Sequence, residues 1–432
     1  LIEFIAIFLA GIIVGIFTGL LPALPVFTGP FLLYYIYNDL PLEHLLTFWL
    51  AVVSGSQFFG SVATITTKIP GEESSLVYIR DLDSLSQAEK NQLLHATALG
   101  SLVAGIISTV FLWFSVSYIN VADMPWLNGL LFQITVYTLA LAGFLFLDRR
   151  WWWTVALVVL GLLLGPKQNY ALPDSWFQFE YLVQGYTFYM LVLGTIVIPD
   201  VVFSDHRPSS QATGFVAMRS KLVGVIQGLR SSVIGGIAGL IPGPSASLAA
   251  IAAYKTAGPD VKQRIVAAET ANNSSVITCA IPLLILALPI NQNTLIMSNI
   301  MDLKGITVWE ALLEPSFVAG LRVLDLVVIA LTAALLLFYV LSTHLIDVYV
   351  ALIENLHHRM RWILLSIITA LIAVDVWSNE ITLGTYMVLL AAFTALGLLL
   401  KKYAVSPLPF LFAAILGDRL IWLYIQFFKL YT

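Results

Sequence analysis

Apolar residues fill this chain in blocks of roughly 20, separated by short polar stretches, and about 20 residues is the length a helix needs to cross the hydrocarbon core of a bilayer. The blocks fall near 1–21, 45–67, 93–118, 125–147, 151–165, 181–203, 222–241, 265–288, 317–341, 361–378, 380–400 and 406–430. A piece at 26–37 and another ending at Tyr254 are too brief to span and read as halves of broken helices. The pattern predicts an all-α polytopic membrane protein of about 10–12 membrane segments. Two of the blocks turn small and polar along one part: Ser54, Gly55, Ser56, Gln57, Gly60, Ser61, Thr64, Thr66 and Thr67 in one, Glu269, Thr270, Asn272, Asn273, Ser274, Ser275 and Thr278 in the other. Facing lipid, such polarity is costly, so both faces are expected to line a cavity.

The breaks between blocks repeat. Gly19-Leu20-Leu21-Pro22-Ala23-Leu24-Pro25 returns as Gly239-Leu240-Ile241-Pro242-Gly243-Pro244-Ser245, and a second proline follows each at near-equal spacing, Pro70 after the first and Pro289 after the second. Proline removes a backbone donor and opposes helix continuation, and glycine permits the unwound backbone that results. In a bilayer such breaks survive only where protein or a wet cavity satisfies the freed groups. Matching Gly/Pro-interrupted segments, one set per half, point to the substrate site of a secondary transporter. Gly19, Pro22, Pro25, Pro70, Gly239, Pro242, Gly243 and Pro289 are accordingly the expected hinge or broken-helix positions. The chain divides into a first repeat at 1–120, connecting helices and a basic linker at 121–220, a second repeat at 221–341 and C-terminal helices at 342–432.

Composition agrees. Of 432 residues, 59% are hydrophobic and 11% charged, with mean hydropathy +0.91, against roughly 25% charged residues in a soluble domain. The net charge of −4 is spread thinly, without the basic stripe of a nucleic-acid binder. One cysteine, Cys279, excludes an intrachain disulfide or a cysteine cluster for zinc, and the six histidines show no metal spacing on a shared helix face. The opening segment, 1–21, lacks a basic leader and a cleavage site and is expected to stay as a helix. Arg149-Arg150 beside Trp151-Trp152-Trp153 reads as an interfacial anchor. Residues 71–92 carry mixed charges and read as a solvated loop.

Taken together, Gly15 to Pro22, Gly60-Ser61, Ile69-Pro70-Gly71-Glu72, Gly235 to Gly243, Glu269-Thr270-Ala271-Asn272-Asn273, Ile281-Pro282-Leu283-Leu284, Phe177 to Gly185 and Leu416-Gly417-Asp418 are similar in order and spacing to one family. The chain resembles the large permease subunit of tripartite tricarboxylate transporters (TctA-like), over nearly its whole length. It departs from the family pattern where Lys68-Ile69-Pro70-Gly71 replaces Asn-Ile-Pro-Gly and Ala287-Leu288-Pro289-Ile290 replaces Gly-Ile-Pro-Gly, which makes it a divergent member. The resemblance implies a multi-pass protein of a prokaryotic cytoplasmic (inner) membrane, with inverted repeats. It further implies import of a carboxylate driven by Na+ or H+ as coupling ion, with no other cofactor. A small membrane subunit and a periplasmic substrate-binding protein are the implied partners, beside a possible homo-oligomer.

An anionic substrate needs positive potential in a site that still releases it. Backbone N–H groups at half-helix N-termini after Pro22, Pro70, Pro242 and Pro289 offer it. Hydroxyls and amides then set orientation, so Ser61, Thr64, Thr67, Lys68, Gly71, Asn272, Asn273, Ser274 and Asn293 form the expected substrate set. The same polar side chains would serve equally to cap broken helices. Lys68 at a proline break would be costly unpaired. A substrate carboxylate could answer it, and so could snorkelling or pairing with Glu269, Glu72 or Glu73. Glu269, with Asn272 and Asn273, is the candidate coupling-ion site, or else a hydrogen-bond hub. Arg322 and Asp325, three apart on one helix, should neutralise each other. No catalytic residues are expected: HExxH, GxSxG and paired-carboxylate constellations are absent. A secondary active transporter of a small organic anion by alternating access is the leading reading. A non-transporting receptor or scaffold subunit, and an integral membrane enzyme, are the alternatives.

Overall fold

A computed structural model describes residues 1–20, 40–67, 73–79, 81–119, 151–164, 190–191, 193–199, 218–241, 245–304, 308–344, 382–403, 405 and 407–431, with scattered helical positions between 130 and 139 and between 348 and 377. The described residues are almost entirely helical, and six of their helices are long and apolar enough to cross a membrane. The chain is an all-α polytopic membrane protein. It divides into two compact units, one of Leu1–Asn120 with Asp205–Met360, the other of Val121–Ser204 with Arg361–Thr432. Both stretches expected to be repeats therefore belong to the first unit.

In that unit α1 (Ile2–Leu20) lies along α2 (Leu42–Thr67). Gly11, Gly15 and Gly19 make the approach possible: a methyl group on Gly11 would sit 3.0 Å from the Phe48 carbonyl oxygen, and one on Gly19 2.5 Å from that of Ser56. Such small-residue stripes are how helices pack closely in lipid, where no hydrophobic force drives them together. The outer side of α1 presents Ile5, Leu9, Ile13 and Phe17. By contrast, the whole apolar window of α2 is buried inside the protein, with Phe48, Trp49, Leu45 and Leu46 as its largest enclosed side chains.

The charged stretch after α2 is not a plain solvated loop. Two 3₁₀ turns, Glu73–Val77 and Asp81–Ser84, occupy it, and Tyr78 and Leu82 are buried. Next, α3 (Gln87–Tyr118) begins six residues before the apolar block does, because Ser86 and Glu89 form a reciprocal capping box over its first turn.

The short helix α4 (Trp151–Leu164) belongs to the second unit, which also holds a π turn at Leu193–Val197. Back in the first unit, α5 (Met218–Gly239) is followed by α6 (Ser245–Thr256), then by a turn with Gly258 at φ +103° and Asp260 as the N-cap of α7 (Val261–Thr278). An alanine-rich core of Ala238, Ala249, Ala253, Ala257, Ala267 and Ala271 holds α5, α6 and α7 together.

The apolar block 265–288 is two helices rather than one. At Cys279 the backbone turns, and α8 (Ala280–Leu286) follows, with Pro282 in its first turn. Ala287 closes α8 in the left-handed conformation at φ 51°, ψ 31°, and is the only non-glycine residue with positive φ among those described. Pro289 is buried beyond it. Then come α9 (Gln292–Lys304), α10 (Val308–Leu313) and α11 (Val323–His344). Arg322 binds Asp325 at 2.8 Å, and Trp113 of α3 donates its indole N–H to the same carboxylate. In the second unit α12 (Leu383–Lys402) packs along the π turn, and α13 (Leu408–Tyr431) along α4.

Candidate functional site

Helix α7 carries the site. Every residue from Ile265 to Thr278 is buried, although this stretch includes one carboxylate, two amides and four hydroxyls. Such a helix exists in a membrane only if its neighbours supply partners, and for Glu269, Asn272, Asn273 and Ser274 these come from α2, α3, α5 and Tyr78, just beyond the first 3₁₀ turn.

Glu269 accepts from Ser61 of α2 on one carboxylate oxygen and from Tyr78 on the other. One turn along, the Asn272 amide donates to Gln57 Oε1 of α2 at 2.6 Å. Asn273 points to the opposite neighbour, donating to Ser101 Oγ of α3 at 2.7 Å and to the Glu269 carbonyl at 3.0 Å. Ser274 shares a hydrogen bond with Ser108 of α3 at 2.7 Å and donates to the Ser232 carbonyl of α5 at 3.0 Å. The periodicity explains this sorting: Glu269 and Asn272 face α2, while residues 270, 273 and 274 turn towards α3 and α5. Among the described residues, no cation lies in hydrogen-bond contact with Glu269, and its two oxygens accept from hydroxyl donors.

The same close approach occurs in both halves. Gly15 abuts the carbonyls of Ala51 and Val52 and Gly19 that of Ser56; Gly235 abuts the Ala271 carbonyl and Gly239 that of Ser275. Each of α1 and α5 therefore backs the polar helix of its own half, α2 and α7, through glycines near its end, and in the sequence Pro22 and Pro242 follow them.

Of the expected substrate residues, Ser61 and Asn272 meet at the α2–α7 contact, with Thr64 buried one turn beyond Ser61, whereas Asn273 and Ser274 lie on the other face of α7 against α3 and α5. Thr67 ends α2. Lys68, Pro70 and Gly71 lie outside the described residues, as do Pro22, Pro25, Pro242 and Gly243. The pairing of Lys68 with Glu72 or Glu73 therefore also falls outside them. Asn293 sits apart, in the first turn of α9, with its Oδ1 shielded from solvent. Its neighbour Asn291 reaches Ser245 Oγ at 3.2 Å, which joins the start of α6 to the Pro289 break. Gly19 and Gly239 are helical residues at close contacts, in the last turns of α1 and α5. No group of three or more potential metal ligands occurs among the described residues.

The site contains four side chains that the expected set lacks: Gln57, Tyr78, Ser101 and Ser108. Gln57 stands in the polar half of its block and is visible there. Ser101 and Ser108 lie seven apart on one face of an apolar helix, a spacing open to ordinary packing. Tyr78 sits among charged residues, and only the apolar character of Leu76, Val77 and Tyr78 separates it from its surroundings.

A family model described as "Tripartite tricarboxylate transporter TctA family" matches residues 5–412. A 52.8 kDa uncharacterized protein from the TAR-I ttuC' 3' region of Agrobacterium vitis is 24% identical over 438 residues, covering 95% of this chain and 84% of that protein. No solved structure matches the chain.

Proposed function

The chain belongs to the tripartite tricarboxylate transporter TctA family, and from that premise we propose that it is the permease that carries a small organic anion, a di- or tricarboxylate, across the cytoplasmic membrane of a prokaryote. Membership sets aside the membrane-enzyme reading, because the family is one of transporters. The proposed cycle is alternating access at a site between the two halves, driven by a sodium or proton gradient.

The observation that carries the reading is the contact between the polar helices of the two halves, Ser61 with Glu269 and Gln57 with Asn272. A carboxylate and amides enclosed by apolar helices are expensive to keep in a membrane, and intramembrane ionisable groups mark ion and substrate pathways. The division of labour follows from charge. Glu269, with Asn272 on the same face of α7, is suited to the coupling cation, since it offers oxygen acceptors and repels an anion, and Asn273, turned towards α3, supports the site through the Glu269 carbonyl. The substrate anion belongs on the donor side, where the sequence sets Lys68 and Gly71 directly after α2, with Ser61, Thr64, Thr67, Ser274 and Asn293 as orienting groups. Arrival of substrate from a periplasmic binding protein and a supporting small membrane subunit complete the proposed assembly.

The test is thermal stabilisation of the purified protein by mono-, di- and tricarboxylates, with and without sodium and at two pH values, beside Lys68→Ala. A ligand at 100 times its dissociation constant stabilises by about 2.7 kcal/mol. Stabilisation by one anion class, lost in the lysine variant, supports both parts of the reading. An absence of stabilisation by every anion, together with an absence of uptake into vesicles, overturns it and leaves the receptor or scaffold alternative.

A further inference from the structure

Tyr78 lies outside both polar patches, yet it is 1% exposed and donates to Glu269. Three residues on, Asp81 opens the second 3₁₀ turn, and its Oδ2 accepts from the Tyr254 hydroxyl of α6. Arg264 of α7 approaches the same oxygen at 3.9 Å and lies over the Tyr254 ring at 4.9 Å. Farther along, Glu89 binds Lys262 of α7 at 3.1 Å. The first 3₁₀ turn itself packs on α6 and α7.

The chain between α2 and α3, with the first turn of α3, is thus tied to the second half at two depths. The inner tie, Tyr78 to Glu269, is enclosed. The outer ties are partly exposed, with side-chain exposures of 28% and 29% for Asp81 and Arg264 and 37% and 34% for Glu89 and Lys262. Exposed ion pairs are weak because water screens them and long side chains lose freedom in making them. They can open and reclose without disturbing the helices. The inner tie responds to a different variable. A cation or proton on Glu269 occupies lone pairs or converts an acceptor oxygen to a donor, and the Tyr78 hydroxyl must then reverse its hydrogen bond or change its partner.

We infer that Tyr78 is a positioning residue that transmits the state of Glu269 to the two 3₁₀ turns, with the Asp81–Tyr254–Arg264 contacts as the latch that those turns close. The inference rests on the reading of Glu269 as the coupling site, and it needs no knowledge of the substrate for its test.

In a Cys279→Ala background, Glu89→Cys and Lys262→Cys place two thiols across the outer seam and leave the latch residues in place. The rate of their cross-linking by a short reducible reagent reports closure. Glu269→Gln stands for the neutralised carboxylate. The expected result is a severalfold fall in cross-linking on Glu269→Gln, and no further fall when the same change is made beside Tyr78→Phe, with melting temperatures of all variants kept close. A purely structural tyrosine would give additive effects. An equal fall with and without the tyrosine hydroxyl, or no fall in either, overturns the inference. Transport adds a second reading: cross-linked protein should lose anion uptake and regain it on reduction, and unimpaired uptake while cross-linked also overturns the latch. Failure of the uncross-linked parent to bind or carry any anion would instead count against the transporter reading, because the cross-linking cycle uses no anion.

Discussion

Asn272 donates its amide to Gln57 Oε1 at 2.6 Å, so a helix of the first half and one of the second are joined in the protein interior across 215 residues of sequence. Gln57→Leu keeps the volume and removes the acceptor. A buried donor deprived of its acceptor costs about 1–3 kcal/mol, and the expected outcome is a lowered melting temperature in detergent with the helical signal unchanged.

Glu269→Gln preserves shape, keeps one acceptor oxygen and turns the other position into an N–H donor, so that one of the Ser61 and Tyr78 hydroxyls must accept rather than donate. Uptake into proteoliposomes should lose its dependence on the driving cation gradient while the protein stays folded. Retention of gradient-driven uptake would remove Glu269 from the coupling site and leave it a hydrogen-bond hub.

Gly239→Ala would drive a methyl group into Thr278 Oγ1 and to 2.6 Å from the Ser275 carbonyl oxygen, whereas the same change at Gly236 meets no described atom within 4 Å. Overpacking at a rigid backbone contact costs about 1–3 kcal/mol. Thermal unfolding should therefore separate the two variants, with Gly236→Ala neutral or slightly stabilising, since alanine favours the helix by up to about 1 kcal/mol.

Ala287→Gly should raise stability. The residue holds φ 51°, where a side chain costs roughly 1–2 kcal/mol. Part of the gain is offset by the greater freedom of glycine in the unfolded chain. The net rise, read from melting curves, should be about 1 kcal/mol or less.

Burial, together with the hydrogen bond to Asp81, raises the Tyr254 hydroxyl above its ordinary value of 10.0. A group whose folded value is raised contributes stability that is whole below the unfolded value and lost as pH rises through the folded one. Melting temperature should therefore hold through neutral pH and fall above pH 10, and Tyr254→Phe should reduce that alkaline step.

Much of this architecture is legible in the sequence because a bilayer restricts the choices. A run such as Val323–His344 has one stable form in lipid, and a run of Glu, Thr, Asn and Ser inside an apolar block must find partners. The contact of α2 with α7 is foreshadowed in the same way, since two polar faces in one membrane protein satisfy each other most cheaply. Tyr78 was hidden by composition: its surroundings are charged, and nothing local distinguishes a loop that bathes in water from one that folds back on a carboxylate. The division of 265–288 at Cys279 was hidden because Pro282 suits either a kink within one helix or the first turn of a new one. Lys68, the sharpest candidate in the sequence, lies outside the described residues, and its role rests on the variant proposed for it.

The burial of α2 on all sides bears on how the protein is made. Its Gln57 leaves the ribosome 215 residues ahead of Asn272, a lag of roughly 10–40 s at ordinary rates of synthesis. For that time a helix destined to touch no lipid has lipid or the insertion machinery for company, with its Gln57 and Ser61 side chains still awaiting α7. Insertion of the first half and its final enclosure are thus separate events. A nascent chain halted before residue 260 should hold α2 in a form that a chaperone or a lipid-facing cross-linker can still reach.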